Sequence, residues 1–369
     1  MPPIRVAQVV GKMVGGGMEA VVMNYYRHID RDRVQFDFIV DSDSTYVPAE
    51  EIESLGGRII EVSPYQKQPK NSLELERIFR QENWPIVHSH MNSLSVFPLR
   101  AAKHAGVSVR IAHSHSTWGK GELKRNILKA ILRTQSNHYP THRMACTRHA
   151  GEWLFGKKAR FKVLYNAIEL EGFSFDEQAR QRLRKELGIP ESSFVVGCIG
   201  RLTSQKNQSF LIDDVSKMRR NQESFLLIIG DGPDKDELKR HIGRIGIEDS
   251  VLMLGQRADV ECLYSAMDAF CLPSTYEGLG IVAIEAQANG LPTLVSTNVP
   301  TEAILTESIR ALPLVDGVWS RELDDLRASN SVSESRKDNL GSLQRYDITL
   351  EAPRLVKYYE DAIRNLRGL

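Results

Sequence analysis

The chain has 369 residues, of which 41% are hydrophobic and 26% are charged, and its formal net charge is +1. This composition is typical of a globular protein with material for two domains, and it gives no reason to expect a nucleic-acid partner. No stretch approaches the roughly 18 apolar residues of a membrane-spanning helix, and the start lacks the apolar region of a signal peptide, so we expect a cytoplasmic protein.

Short apolar runs alternate with amphipathic stretches along the chain. The first series of predicted strands is Ile4–Val10, Val34–Val40, Arg58–Val62, Ile86–His88, Val109–His113 and Arg143–Cys146. The second series is Val195–Ile199, Phe225–Ile229, Val251–Leu254, Ala269–Leu272 and Thr293–Val295. Helical patterns between them include Met18–Ile29, Leu73–Arg80 and Asp234–Ile245. This alternation predicts an α/β protein with two doubly wound, Rossmann-like domains facing a central crevice, in which ligands bind at the carboxyl ends of the strands.

A polar segment, Asn166–Pro190, separates the two series and marks the domain boundary. We therefore predict an N-terminal domain at 1–168, a C-terminal domain at 169–345, and a closing helix within 346–369. That helix is predicted over about Ala352–Leu366, with Pro353 in its first turn.

The four cysteines are far apart and show no Cys-x-x-Cys spacing. They are Cys146, Cys198, Cys262 and Cys271. We expect buried, reduced thiols rather than a disulfide or a metal site.

Three glycines, Gly15, Gly16 and Gly17, lie between the first strand and the first helix. Glycine lets a backbone approach a ligand closely, and a helix start offers N–H groups to an anion, so Gly16 and Gly17 are candidate donor-binding residues. The alternative is a flexible loop without a binding role. Because the spacing is not Gly-x-Gly-x-x-Gly, we reject an NAD site.

The second series opens with a strand that ends in Gly200-Arg201, and Lys206 follows five residues later at a helix start. A guanidinium and an ammonium converging there suit two linked phosphates. Two surface cations on a solvated loop would be the alternative.

The most specific pattern is a pair of glutamates, Glu277 and Glu285, on either side of a turn formed by Gly278, Leu279 and Gly280. One carboxylate can accept hydrogen bonds from sugar hydroxyls and the other from a ribose, while the N–H groups of the turn face phosphate. A helix cap and a surface charge would be the alternative, but Glu285 interrupts an otherwise apolar helix face.

These residues resemble those of the family 4 glycosyltransferases, which are retaining enzymes with the GT-B fold. The resemblance covers nearly the whole chain and includes Gly230-Asp231-Gly232-Pro233 and a terminal helix that crosses back onto the first domain. One departure is Ala167, which stands where the family usually has glycine. The narrower similarity is to the bacterial exopolysaccharide and capsule branch.

The resemblance implies a role for each matched residue. Arg201 and Lys206 would neutralise the donor diphosphate, Glu277 would hold the transferred sugar and Glu285 the ribose. The backbone near Gln256 and Arg257 would read the base. The donor implied is a nucleotide sugar, by default a UDP-sugar, and the acceptor is a saccharide or a lipid-linked saccharide. No cofactor or metal is expected.

Two His-Ser-His segments occur at strand ends in the first domain. By its position, His115 resembles the family's crevice histidine, which contacts the donor sugar, and His90 is a candidate on the acceptor or sugar side. His88 and His113 are more readily structural. Four histidines also suggest a metal site, but the resemblance favours none.

No carboxylate is placed to act as a covalent nucleophile, so we expect front-face substitution in which the leaving phosphate takes the proton of the acceptor. Other classes remain open. They are a nucleotide-sugar epimerase of the same architecture, an inactive nucleotide-sugar-binding module, and a metal-dependent transferase, for which Asp41-Ser42-Asp43 matches only the letters of an Asp-x-Asp motif.

The segment Arg100–Lys162 holds fourteen lysines and arginines but only two acids, Glu122 and Glu152. Within it, Lys120–Arg133 is predicted as a helix of mixed basic and apolar character, typical of an interfacial segment. We therefore expect peripheral docking on an anionic membrane surface. The alternative is a solvated helix balanced by acids from elsewhere in the fold.

Overall fold

A computed structural model describes residues 2–115, 129–218, 223–329, 336 and 340–367. The chain divides into two compact units. The first consists of Met1–Ile168 together with Arg345–Leu369, and the second is Glu169–Gln344.

The first unit is built on a sheet of seven parallel strands in the order β3-β2-β1-β4-β5-β6-β7. The strands are β1 Ile4–Gly11, β2 Val34–Asp41, β3 Arg58–Val62, β4 Ile86–Ser89, β5 Val109–Ser114, β6 His142–Ala145 and β7 Lys162–Val163. Its helices are α1 Gly17–His28, α2 Ala49–Ser54, α3 Lys70–Glu82, α4 Val96–His104 and α5 Arg148–Phe155. Strands β1 and β2 are buried almost throughout, because helices cover both faces of a parallel sheet.

The second unit is built on a sheet of six parallel strands in the order β10-β9-β8-β11-β12-β13. The strands are β8 Phe194–Ile199, β9 Ser224–Ile229, β10 Val251–Gly255, β11 Ala269–Leu272, β12 Thr293–Ser296 and β13 Ile309–Leu312. The helices are α6 Glu177–Glu186, α7 Gln208–Val215, α8 Lys235–Ile245, α9 Val260–Ala266, α10 Ile281–Ala288, α11 Val318–Ala328 and α12 Leu340–Leu343. The predicted α/β class with two parallel sheets is confirmed.

The last helix, α13, spans Ile348–Arg367 and packs against α1 in the first unit. Its Tyr359 is fully buried and meets Phe36 edge-to-face, with ring centroids 6.1 Å apart. The prediction that Pro353 lies in the first turn is wrong, because the helix begins at Ile348 and Pro353 lies inside it.

All four cysteines are free thiols. Cys146, Cys198 and Cys271 are buried, as predicted, whereas Cys262 is only half-buried. Within the described ranges, no helix has both the length and the apolar character needed to cross a membrane.

Candidate functional site

In the second unit, the turn that follows β8 is held by close backbone packing. Gly200 has φ of +151°, and a Cβ at Gly230 would lie only 2.2 Å from the Gly200 carbonyl oxygen. A Cβ at Gly232 would lie 2.3 Å from the carbonyl oxygen of Leu202. Both glycines of the Gly230–Gly232 motif are therefore needed for this approach.

Lys206 projects from this turn onto Glu277. Its Nζ lies 2.5 Å from Oε1 of Glu277, and the Ser274 hydroxyl donates to the same oxygen at 2.6 Å. The side chains of Lys206 and Glu277 are 17% and 7% exposed. The structure thus joins two of the predicted site residues directly. An ammonium has three N–H donors, so Lys206 keeps donors for a second partner.

Arg201 has different surroundings. Its residue is exposed, and its guanidinium forms no hydrogen bond or ion pair with any residue that the structure describes. Its fork of donors faces solvent next to Gly200, a position from which it can bind an anion.

The turn 278–280 leads from Glu277 into α10. Gly280 has φ of +82° and is the N-cap of this helix, which places half-buried Glu285 in its second turn. The hydroxyl of Tyr264 on α9 donates to Oε2 of Glu285 at 2.6 Å. Burial raises the pKa of Glu285 to about 7, and the Tyr264 hydrogen bond opposes this rise.

Gln256 and Arg257 follow the end of β10. Gln256 is exposed, whereas the guanidinium of Arg257 pairs with Asp259 at 2.8 Å and with Glu186 at 3.3 Å. The side chain of Arg257 is therefore engaged within the unit, and its backbone is the part left for a ligand.

In the first unit, the glycine-rich loop is held by a buried carboxylate, Glu19. Oε1 of Glu19 accepts the amide of Val14 at 3.1 Å, and Oε2 accepts the amide of Gly16. Gly16 is the N-cap of α1 and Glu19 its N3 residue, which is the spacing of a capping box. A Cβ at Gly17 would meet no atom within 4 Å, so the open side of this helix start is at Gly17.

The four strand-end histidines form one buried layer. Nδ1 of His88 lies 2.7 Å from the Tyr359 hydroxyl, and Nε2 of His88 lies 3.2 Å from Nδ1 of His113. Nδ1 of His90 lies 2.8 Å from Nε2 of His115. Because strand residues two apart share a face, each His-Ser-His segment directs both rings to the side covered by α13.

Burial lowers the pKa of all four histidines, to about 3 for His88 and His115, so the rings are neutral. Among the described residues, His88, His90 and His113 place one possible metal-ligand atom each within 4.8 Å of one another. Both nitrogens of His88 and both of His90 are already hydrogen-bonded, however.

Several partners of the site residues escaped prediction from the sequence. They are Glu19, Ser274, Tyr264, Gln8 and Tyr359. The signals for two of them were present: Glu19 stands three residues after Gly16, and Ser274 stands three before Glu277. Tyr359 is 271 residues from His88, and no local pattern indicates such a contact.

Two family models match the chain. The model of the glycosyl transferase 4-like domain matches residues 16–167, and that of the group 1 glycosyl transferases matches residues 179–311. The chain is 35% identical to the putative glycosyltransferase EpsF of Bacillus subtilis over 305 residues, which cover 80% of this chain and 79% of that protein. It is also 28% identical over 241 residues to an Escherichia coli UDP-Gal:α-D-GlcNAc-diphosphoundecaprenol α-1,3-galactosyltransferase, covering 62% of each chain.

Solved structures show the same architecture. HepE of Anabaena in complex with UDP superposes with a TM-score of 0.79 at 18% identity, covering 97% of this chain and 100% of that one. Sucrose-phosphate synthase of Thermosynechococcus elongatus has a TM-score of 0.82 at 17% identity, covering 98% and 99%. Fold and site thus define a nucleotide-sugar-dependent transferase. The chain belongs to the group 1 glycosyltransferases, family 4, which have the GT-B fold.

Proposed function

We propose that this glycosyltransferase moves a hexose from a UDP-sugar to a saccharide or lipid-linked saccharide in exopolysaccharide or capsule biosynthesis, with retention at the anomeric carbon. The observation that carries this proposal is the cluster of Lys206, Glu277 and Ser274 beside the exposed Arg201. It combines cations for a diphosphate with a carboxylate for hydroxyl groups. The UDP-bound HepE structure and the EpsF and galactosyltransferase relatives support the choice of base and acceptor class.

In this proposal the second unit binds the donor. Arg201 and the remaining N–H groups of Lys206 bind the diphosphate and stabilise its growing charge as it leaves. Glu277 accepts from the transferred sugar and Glu285 from the ribose. Backbone groups complete the site: those of Gly200 and of the turn 278–280 face the phosphates, and those of Gln256 and Arg257 face the base.

The first unit takes the acceptor, with His90 on the acceptor or sugar side. Gly16 and Gly17 contribute to donor binding, and His115 contacts the donor sugar. The leaving phosphate removes the acceptor's proton in a front-face substitution, and neither a cofactor nor a metal takes part. The reaction takes place in the cytoplasm, at the inner face of an anionic membrane to which the basic segment Arg100–Lys162 binds.

A panel of nucleotide sugars tests the donor. A ligand at about 100 times its Kd raises the free energy of unfolding by about 2.7 kcal/mol, so the donor should raise the Tm in proportion to its affinity. UDP-sugars should stabilise the wild type and leave a variant with both Arg201→Ala and Lys206→Ala unchanged. Stabilisation by GDP-sugars alone would overturn the assignment of the base.

A transfer assay with the best donor tests the reaction itself. NMR of the product should show the anomeric configuration of the donor, and EDTA should leave the rate unchanged. Release of an epimeric sugar without any acceptor would instead identify an epimerase. Loss of activity with EDTA, restored by a divalent cation, would contradict the metal-free proposal.

A further inference from the structure

The hydrogen bonds around the histidine layer have one consistent direction. The Gln8 carboxamide directs Oε1 to Nε2 of His90, at 2.8 Å, and Nε2 to the Tyr359 hydroxyl, at 3.2 Å. An amide oxygen only accepts and an amide N–H only donates. His90 therefore carries its proton on Nε2. The Tyr359 hydroxyl accepts a hydrogen bond from Gln8 and donates one to Nδ1 of His88.

The remaining tautomers follow from these two ends, because a neutral imidazole has one N–H and one lone pair. Nδ1 of His90 accepts, so His115 donates from Nε2. Nδ1 of His88 accepts from Tyr359, so His88 donates from Nε2 to Nδ1 of His113. All four histidines are then Nε2–H tautomers.

This assignment leaves two unlike atoms at the two ends of this chain of hydrogen bonds, which runs through His113, His88, Tyr359, Gln8, His90 and His115. Nε2 of His113 and Nδ1 of His115 are buried and have no hydrogen-bond partner among the described residues. The first carries a proton and the second a lone pair. Their rings lie with centroids 3.9 Å apart, and both line a cavity of about 10 Å³. A space near that size holds about one water-sized group.

We propose that His113 and His115 form a binding site for a single hydroxyl group, and that Gln8 and Tyr359 are positioning residues that set the tautomers of this site. The hydroxyl oxygen accepts from Nε2–H of His113, and its proton is donated to Nδ1 of His115. This closes a ring of hydrogen bonds in which all eight histidine nitrogens have a partner. The hydroxyl belongs to a buried water or to a saccharide. The site goes beyond the proposed function, because either hydroxyl would fill it whether or not the proposed sugar transfer takes place.

The tautomers can be read from long-range ¹H–¹⁵N correlation spectra of the full chain with labelled histidine. The wild type should show Nε2–H for all four rings. In Gln8→Glu, the new carboxylate accepts from both His90 and Tyr359, so Tyr359 no longer donates to His88. His88 and His113 should then change to Nδ1–H, while His90 and His115 keep Nε2–H.

Tyr359→Phe keeps the test independent of a buried charge. It removes the donor to His88 and should leave His88 and His113 as tautomer mixtures, with His90 and His115 unchanged. The matched control is Tyr25→Phe, because Tyr25 lines the same cavity but donates its hydroxyl to the carbonyl of Tyr165 at 2.7 Å. That variant should have the wild-type spectrum. Nδ1–H at His115 in the wild type would overturn the proposal, as would unchanged spectra in both Gln8→Glu and Tyr359→Phe.

A crystal structure of the uncomplexed protein, followed by one with a saccharide acceptor, separates the two sources of the hydroxyl. A water within hydrogen-bond distance of both nitrogens in the first structure identifies a buried water. A sugar oxygen there only in the second identifies the saccharide. An oxygen in neither structure would overturn the proposal, as would Zn²⁺ that shifts the resonances of His88, His90 and His113 together, because these nitrogens would then be metal ligands.

Discussion

Lys206 and Arg201 carry the same charge in the same turn but differ in what surrounds them. Lys206 is partly buried against Glu277, whereas Arg201 is exposed and has no partner among the described residues. A buried carboxylate that loses its partner is costly, while an exposed cation contributes little to stability. The two residues should therefore differ in their effect on the fold even if both bind the donor.

The first prediction compares Arg201→Ala with Lys206→Ala. Each charge-assisted hydrogen bond to the diphosphate is worth about 1.5–3 kcal/mol, so both changes should weaken UDP binding by roughly ten- to hundredfold. Only Lys206→Ala should also lower the Tm, because it leaves the buried carboxylate of Glu277 without its cation. Calorimetric titration with UDP and thermal unfolding measure the two effects.

The matched control adds Glu277→Gln to Lys206→Ala, which removes the stranded charge and should recover much of the lost Tm without recovering UDP affinity. UDP affinity within a few-fold of wild type in both single variants would contradict the diphosphate assignment.

The second prediction concerns the affinity of Glu285 for the donor as a function of pH. Its pKa of about 7 means that the carboxyl is largely neutral at pH 6 and ionised at pH 8. An ionised carboxylate is the better acceptor for ribose hydroxyls, so UDP affinity should rise from pH 6 to pH 8. In Glu285→Gln this rise should disappear, and in Tyr264→Phe its midpoint should move to higher pH, because the hydrogen bond that lowers the pKa is gone.

The third prediction gives the stability counterpart of the same pKa. Between the usual value of 4.5 and about 7, the folded protein holds a proton on Glu285 that the unfolded chain has lost. The contribution of Glu285 to the free energy of unfolding therefore falls as pH rises through this window. Urea unfolding at pH 5 and pH 8 should show a larger loss for wild type than for Glu285→Gln, and equal losses would contradict the raised pKa.

At the scale of elements, the fourth prediction concerns the packing of the β9 turn against the β8 turn. In Gly230→Ala the new methyl group would meet the Gly200 carbonyl, displace the Arg201 turn and lower UDP affinity at least about tenfold. Gly246→Ala is the control, because Gly246 also has positive φ but open space around it. It should cost only about 1–2 kcal/mol of stability, with unchanged UDP affinity.

The elements were largely predictable because a parallel sheet buries its strands on both faces, and such strands appear in the sequence as apolar runs. Two strands escaped prediction because neither forms such an apolar run. β7 has only two residues, and β13 is an edge strand in which Arg310 and Ala311 are exposed. The charged residues of the site were visible at strand ends. The pairing of Lys206 with Glu277 was not, because it joins residues 71 apart through packing that no spacing encodes.

At the scale of the whole molecule, the near-neutral total charge conceals an uneven distribution. The basic segment Arg100–Lys162 has an excess of twelve positive charges, fourteen basic residues less two acids. Lys120, Lys124 and Arg125 lie outside the described residues, but Lys157, Lys158, Arg160 and Lys162 lie within them and are exposed. Each basic residue near an anionic surface contributes about 1 kcal/mol of attraction.

The fifth prediction is that the protein co-sediments with liposomes containing anionic lipid, and less so at high salt, because salt screens the attraction. Reversing Lys157, Lys158 and Arg160 to Glu should reduce the bound fraction, as should reversing Lys120, Lys124, Arg125 and Lys129. Reversing Lys239 and Arg240, exposed on α8 of the second unit, should have no effect. Equal binding to neutral and anionic vesicles, or none to either, would contradict membrane docking.

The position of α13 has a consequence for synthesis on the ribosome. The first unit needs Tyr359 to complete its histidine layer, yet residue 359 is made after the whole second unit. At about 5–20 residues per second, roughly 10–40 s pass between emergence of residue 168 and the end of the chain. Throughout that interval the face of the sheet that will receive α13 stays uncovered. The nascent chain therefore cannot mature in the order in which it is translated, and the earliest part of the protein is the last to be finished.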